Sequence, residues 1–302
     1  MARAQKAPRT DLQASTLDRL IAEMEAGAAP WLKPWNNASG PSPIMAGLPR
    51  NGSSGRRYSG INVLTLMLAA EAAGYTEDRW YTFKQLSAIG GNVKGQKGTA
   101  VIWWKPTEFK RRNAEGEVEL HKTVIMKTFS VFNHDQITWQ DGEEPRRTRT
   151  VIKTAPWETC EALQQQVKRL QGEAGLSLSY GGNVAAYMPT IDQVVMPQVA
   201  QFKSASHHDA TLAHELVHWT GHTSRLDRNL RNTFGSGDYA FEELVAELGA
   251  AFIAAELGFA NSELRHAGYL QSWARKLREQ PKALSKAAAL ASKAVDMLVP
   301  QE

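Results

Sequence analysis

The residues best placed to do chemistry are His214, Glu215 and His218, in the run His214-Glu215-Leu216-Val217-His218. Two histidines four apart lie on one face of a helix, so both imidazoles can reach a single ion. Zinc takes imidazole nitrogen and carboxylate oxygen at about 2.0–2.2 Å, which demands side chains that converge. Glu215 follows the first histidine directly, where the HExxH pattern puts a general base acting on a water held by the ion. The chemistry this spacing points to is metal-assisted hydrolysis. The segment from Ala210 to Trp219 reads as continuous helix, with Asp209 as its expected N-cap.

Such an ion needs a third protein ligand. The metzincin pattern HExxHxxGxxH finds its glycine in Gly221, but Ser224 stands where its last histidine belongs. His222 lies eight residues after His214, a rise of about 12 Å along a helix, too far to share one small ion with both His214 and His218. A second helical run, from Phe241 to Phe252, carries Glu243 and Glu247 four apart on one face. The gluzincin arrangement takes a glutamate from a second helix, with an acid four residues on that orients a ligand histidine. Glu243 is accordingly the expected third ligand and Glu247 its partner against a histidine. Tyr239, His222 and Arg225 are candidates for stabilising a transition state, each with a structural alternative. Zinc is the expected metal, with manganese as the alternative.

The helices that must position these residues belong to the second half of a chain whose halves differ in charge. Residues 1–150 hold 21 Lys+Arg against 15 Asp+Glu, and residues 151–302 hold 14 against 16. A basic half joined to a slightly acidic one points to a polyanion binder linked to something else. The polar run from Gln140 to Thr150 is the expected boundary, giving domains of 1–145 and 151–302. Both read as α+β. The one cysteine, Cys160, excludes a disulfide framework within the chain. No apolar run of eighteen residues or more marks a membrane span, and the first fifteen residues lack an apolar signal region, so the expected location is cytoplasmic.

In the first half, helices are expected near Leu17–Ala26, Asn62–Ala73 and Phe83–Ile89. Strands are expected at Ala100–Trp104 and Thr123–Phe132, with Lys110–Gly116 as the turn between them. The glycine-rich stretch Gly90–Gly98 lacks the spacing and the Lys-Ser/Thr ending of a phosphate loop. Six of the nine tryptophans fall in this half. Trp31, Trp35, Tyr58, Trp103 and Phe109 lie near Lys33, Arg56, Arg57, Lys105, Lys110, Arg111 and Arg112. Single-stranded nucleic-acid binders combine a basic groove with aromatic stacking platforms, although most tryptophans fill cores. In the second half, a helix near Trp157–Leu170 precedes short strands at Leu176–Tyr180, Val184–Met188 and Gln193–Met196. The last is expected to be an edge strand beside the metal cleft, open to an added peptide strand. Helix continues from about Ser262, divided by Pro281.

The stretches PWLKPW, RRYSGINVLTL, WYTFKQLSAIGGNVKGQKGTAVIWW, FSVFNHDQI, AAYMPTIDQVVMP, HELVHWTGHTSRLDR and YAFEELVAELGAAFI resemble those of the ArdC-type antirestriction proteins, in order and over nearly the full length. His207-His208 departs from that pattern, where aromatics are expected, and neither is counted as a ligand. The resemblance implies an N-terminal domain that binds single-stranded DNA without sequence preference, followed by a zincin-like metallopeptidase domain. It also implies protection of incoming plasmid DNA from host restriction during conjugation. It carries the metal roles onto His214, His218 and Glu243 and the catalytic role onto Glu215. The expected partners are single-stranded DNA and a protein or peptide substrate, such as a restriction component, with no membrane. Two other readings stay open: a metalloprotease whose basic half is a protein-interaction module, and a DNA-binding protein whose zincin domain holds metal but hydrolyses little.

Overall fold

The computed structural model describes residues 12–26, 47–112, 118–139, 158–230, 237–259 and 270–301. The first half is built on helix α2 (Ile61–Ala73), which buries apolar residues all round, including Val63, Leu64, Leu66 and Met67. A helix of that kind must be enclosed on every side. Helix α1 (Leu12–Glu25) lays Leu17, Leu20, Ile21 and Met24 into the same core. Helix α2 stops at Gly74, whose left-handed φ of 70° lets its N–H reach back to Ala70 and Glu71.

Beside these helices runs a four-stranded sheet in the order β1-β2-β5-β4, made of Arg50–Asn51, Arg79–Thr82, Val118–Asn133 and Thr99–Arg112. Only the β1–β2 pair is parallel. Helix α3 (Phe83–Ala88) opens on a capping box between Thr82 and Gln85. Strand β3 (Gly91–Asn92) pairs with β6 (Thr138–Trp139). Strands β4 and β5 are far longer than the sequence indicates, and Lys110, Arg111 and Arg112 continue β4 rather than forming a turn. Fourteen residues at about 3.4 Å each make a ribbon of roughly 48 Å. The hydrophobic alternation marks only its base, because both faces are largely exposed from Trp103 to Phe109.

The second half opens with α4 (Glu161–Glu173), then a three-stranded sheet in the order β7-β9-β8, from Ser177–Tyr180, Gln193–Met196 and Ala186–Met188. This corrects the expected edge: Gln193–Met196 is the central strand, buried at Val194 and Met196, and Ala186–Met188 is the edge antiparallel to it. Among the described residues four helices follow, α5 (Ala205–Thr220), α6 (Gly237–Leu257), α7 (Leu270–Glu279) and α8 (Lys282–Leu298), the last capped by Pro281.

The two halves share one hydrophobic core, a continuous cluster running from Leu17 to Val299. Helix α7 packs on α1, and α8 on α2. At the seam Glu256 of α6 accepts from Leu48 N–H, from Arg50 at 3.1 Å and from Arg57 at 2.9 Å. The expected boundary near residues 145–151 lies outside the described residues. No helix among the described residues is long and apolar enough to cross a membrane.

Candidate metal centre

Helix α5 carries His214, Glu215 and His218, and nearly all of it is buried from His208 to Thr220. Its N-cap is Ser204, whose hydroxyl accepts from His207 N–H. Asp209 therefore sits inside the helix rather than capping it. Its carboxylate instead accepts from the backbone N–H of Cys160, the residue that opens α4, at 2.6 Å. At the other end, Arg228 turns back over the helix and donates to Val217 O and Thr220 Oγ1, satisfying carbonyl and hydroxyl groups of the last turn. Gly221 permits this, since a Cβ there would come within 2.9 Å of the Arg228 guanidinium. The glycine that fits a metzincin slot is explained by this close approach.

Helix α6 crosses α5 at Gly249, where a Cβ would lie 2.6 Å from Val217 Cγ2. That contact lets α6 carry its glutamates up to the two histidines. His214 Nε2 lies 3.3 Å from Glu243 Oε2 and 3.1 Å from His218 Nε2, and His218 Nε2 lies 3.7 Å from Glu243 Oε1. Ligand atoms held tetrahedrally at about 2.0–2.2 Å from one ion sit about 3.3–3.6 Å from each other. Two imidazoles and a carboxylate at this spacing are a donor set that suits a divalent cation, and all three ligand atoms fall within 4.8 Å of one another.

The orienting residues differ in part from the sequence expectation. Glu247 Oε1 lies 3.8 Å from His214 Nδ1, on the side away from Glu243. His218 Nδ1 faces Glu242 Oε1 at 3.1 Å, and Glu242 in turn takes Arg228 at 2.9 Å. Sequence reading missed Glu242 and Arg228. The only signal was the doubled acid Glu242-Glu243, because adjacent residues on a helix point about 100° apart and can serve two neighbouring targets. Burial alone would lower the His218 pKa, but Glu242 and Glu243 outweigh it and raise it to about 10. Burial likewise opposes ionisation of Glu243 and Glu242. The histidines hold Glu243 well below the carboxylate range, and His218 with Arg228 lowers Glu242.

Glu215 is buried, and its Oε2 accepts from the backbone N–H of Tyr187 on edge strand β8 at 2.8 Å. No side-chain pattern could have revealed this contact. The cleft in front has a volume of about 290 Å³ and is lined by Tyr187, His214, Glu215, His218, Tyr239 and Glu243, among others. Of the three proposed transition-state stabilisers only Tyr239 lines it. His222 faces a neighbouring hollow and bonds Ser224 through Nδ1. Arg225 is committed elsewhere: it stacks over Trp219 at 3.9 Å, donates to Trp219 O and pairs with Asp192, which also accepts from Tyr187 Oη. Arg225 therefore braces the edge strand from behind.

The first-half candidates separate in the same way. Trp103 and Phe109 are exposed, at 47% and 48%. Arg56 is exposed and Tyr58 half-buried. Arg57 is not available as a surface cation, because it is buried against Glu256 and donates to Val299 O. Trp31, Lys33 and Trp35 lie outside the described residues, as do the side chains of Lys110, Arg111 and Arg112.

Two family models match this chain. A family model for the N-terminal domain of anti-restriction factor ArdC matches residues 10–132, and a model for zincin-like metallopeptidases matches residues 165–290. The metal-free crystal structure of the antirestriction ArdC protein from plasmid R388 is 37% identical, covers 95% of this chain and 96% of its own, and superposes with a TM-score of 0.76. Its Mn(II)-bound form is 36% identical, covering 95% and 97%, with a TM-score of 0.70. Uncharacterized protein y4eC of Sinorhizobium fredii is 33% identical over 97% of this chain and 93% of its own length. A DNA primase TraC of Escherichia coli is 35% identical over 97% of this chain, which spans only 20% of TraC.

Proposed function

Since the chain belongs to the ArdC family of antirestriction proteins, we propose that it binds single-stranded DNA without sequence preference and protects incoming plasmid DNA from restriction during conjugation. In this reading it also carries a metal-dependent peptidase centre. The observation that carries the peptidase part is the convergence of His214, His218 and Glu243 within one ion's reach, with Glu215 beside them. The three ligand side chains hold the ion, zinc in preference to manganese because two imidazoles and one carboxylate with an open position form a common catalytic zinc set. When bound, a divalent ion activates water and polarises a carbonyl as a Lewis acid.

The chain's own residues supply the rest. Glu215 moves the proton, and Tyr187 N–H fixes its carboxylate through Oε2 so that it faces the cleft. Glu242 and Arg228 hold the His218 ring with Nε2 turned towards His214 and Glu243. Strand β8, the edge of its sheet, borders the cleft at Tyr187, whose N–H is held by Glu215. In this reading Tyr239, which lines the cleft from the start of α6, donates to the oxyanion.

The test is Glu215→Ala in the full-length protein, compared with wild type for metal content, peptide cleavage and plasmid transfer into restricting recipients. The proposal expects metal retained and cleavage abolished. Protection that survives makes DNA coating sufficient, whereas protection lost with metal retained makes hydrolysis the means. Cleavage that continues in Glu215→Ala would overturn the catalytic role of Glu215.

A further inference from the structure

We propose that single-stranded DNA bases stack in a cleft between the base of the β4–β5 ribbon and helix α8, so that the DNA site is built from both halves of the chain. The inference rests on the reading that this protein binds single-stranded DNA. The cleft has a volume of about 710 Å³, within the range of small-molecule sites and large enough for planar ligands. Trp103, Phe129 and Tyr58 line it from the first half, and α8 faces them with Ser285, Ala289, Ser292 and Lys293. The small side chains of α8 keep the cleft open. Ser292 also fixes the wall in place, by accepting from Gly60 N–H at 2.9 Å.

Three observations choose nucleic acid as the occupant. The first is the aromatic surface. Trp103 and Phe129 stand edge to face at 6.1 Å and are 47% and 41% exposed, so their rings are anchored but open to a ligand. The second is charge. Trp103 lies directly across from Lys127, and Lys105 follows on the same face of β4. At the base of the ribbon, from Thr99 to Thr107 and their partners on β5, that face has two lysines and no carboxylate, and exposed Lys293 adds a cation from the opposite wall. Asp296 also lines the cleft, but lies 3.7 Å from Arg57.

The third observation excludes an added peptide strand. Strand β4 is the edge of its sheet. The Asn62 side chain already occupies both the N–H and the C=O of Ile102. Outward-pointing groups alternate along the strand, so the next belong to Trp104 and then to Pro106, which has no N–H. One residue of open ladder cannot hold a strand, whereas stacking on a ring needs no ladder at all.

The test uses the full-length protein and a labelled oligo(dT) strand, with affinity read by fluorescence anisotropy over a range of salt. Trp103→Ala and Phe129→Ala should each weaken binding about tenfold, the size of one lost stacking contact. Ala289→Trp should fill the cleft, and Lys293→Glu should both weaken binding and shallow its salt dependence. Lys168→Glu, the same charge change at an exposed position of α4, should leave affinity within about twofold of wild type. All these side chains are exposed, so melting temperatures should stay close to that of wild type. If wild type binds and the α8 variants bind equally well, or Lys168→Glu loses as much, the shared cleft is wrong while DNA binding stands. If wild type does not bind oligo(dT), the cleft and the DNA-binding reading fall together.

Discussion

His218 stands between two carboxylates, Glu242 on Nδ1 and Glu243 near Nε2. Without metal that position favours the protonated ring, with a pKa of about 10 against an ordinary 6.5. A folded-state value above the unfolded one gives stability that is complete below about pH 6.5 and is lost as pH rises through about 10. Glu242 and Glu243 act in the opposite sense: lowered from 4.5, they contribute above that pH and lose it as pH falls through their depressed folded values. The chelated protein should therefore lose melting temperature steadily from pH 6.5 towards 10, and metal should flatten that slope by taking the proton's place. Calorimetry with and without chelator reads both, and metal titration near neutral pH in buffers of different ionisation enthalpy should register a released proton. Glu242→Gln removes the charge that orients His218 and should weaken metal binding about 10- to 100-fold, measured by chelator competition. An unchanged affinity would reduce the Glu242–Arg228 pair to a fold contact.

Helices α5 and α6 carry the centre only because they approach closely at Gly249 and Val217. Gly249→Ala should cost about 1–3 kcal/mol in chemical denaturation, the range for overpacking, and should reduce metal affinity by displacing Glu243. Adding Val217→Ala should restore part of both, because it removes the atoms that the new Cβ meets. Much of this centre was legible in the sequence. His214, His218, Glu243 and Glu247 each recur at helical spacing on long apolar runs, and helical period alone brings such pairs to one face. Strand order was not legible, since Gln193–Met196 became central through a parallel pairing with β7 that no local pattern records. The full length of the β4–β5 ribbon leaves no mark in the sequence because, past its base, neither face packs on the core and the alternation ends. Arg57 reads as a DNA-binding cation in sequence and Arg225 as a transition-state stabiliser, and only the fold supplies the partners Glu256 and Asp192.

At the scale of the molecule, one core serves both halves, and Glu256 ties them at Leu48, Arg50 and Arg57. Glu256→Ala would leave Arg50 with Asp78 at 2.9 Å and Arg57 with Asp296 at 3.7 Å, and should cost about 1–3 kcal/mol in denaturant unfolding through the lost charged hydrogen bonds. The uneven charge of the chain suggests that residues 1–150 would stand alone. The shared core argues instead that this fragment, stripped of α7 and α8, exposes the apolar faces of α1 and α2. It should lack the cooperative unfolding of the full chain, as circular dichroism on heating would register. Composition could not reveal this, because packing across a boundary leaves no mark on net charge.

Metal content tests the centre most directly. Full-length wild type, Glu215→Ala, His218→Ala and Glu243→Ala, purified together, can be analysed for bound divalent metal by plasma mass spectrometry. Wild type and Glu215→Ala should each carry about one equivalent, while His218→Ala and Glu243→Ala should carry almost none, since each lacks one of three ligands. Full metal in Glu243→Ala, or its loss from Glu215→Ala, would contradict the assignment of His214, His218 and Glu243 as the ligands.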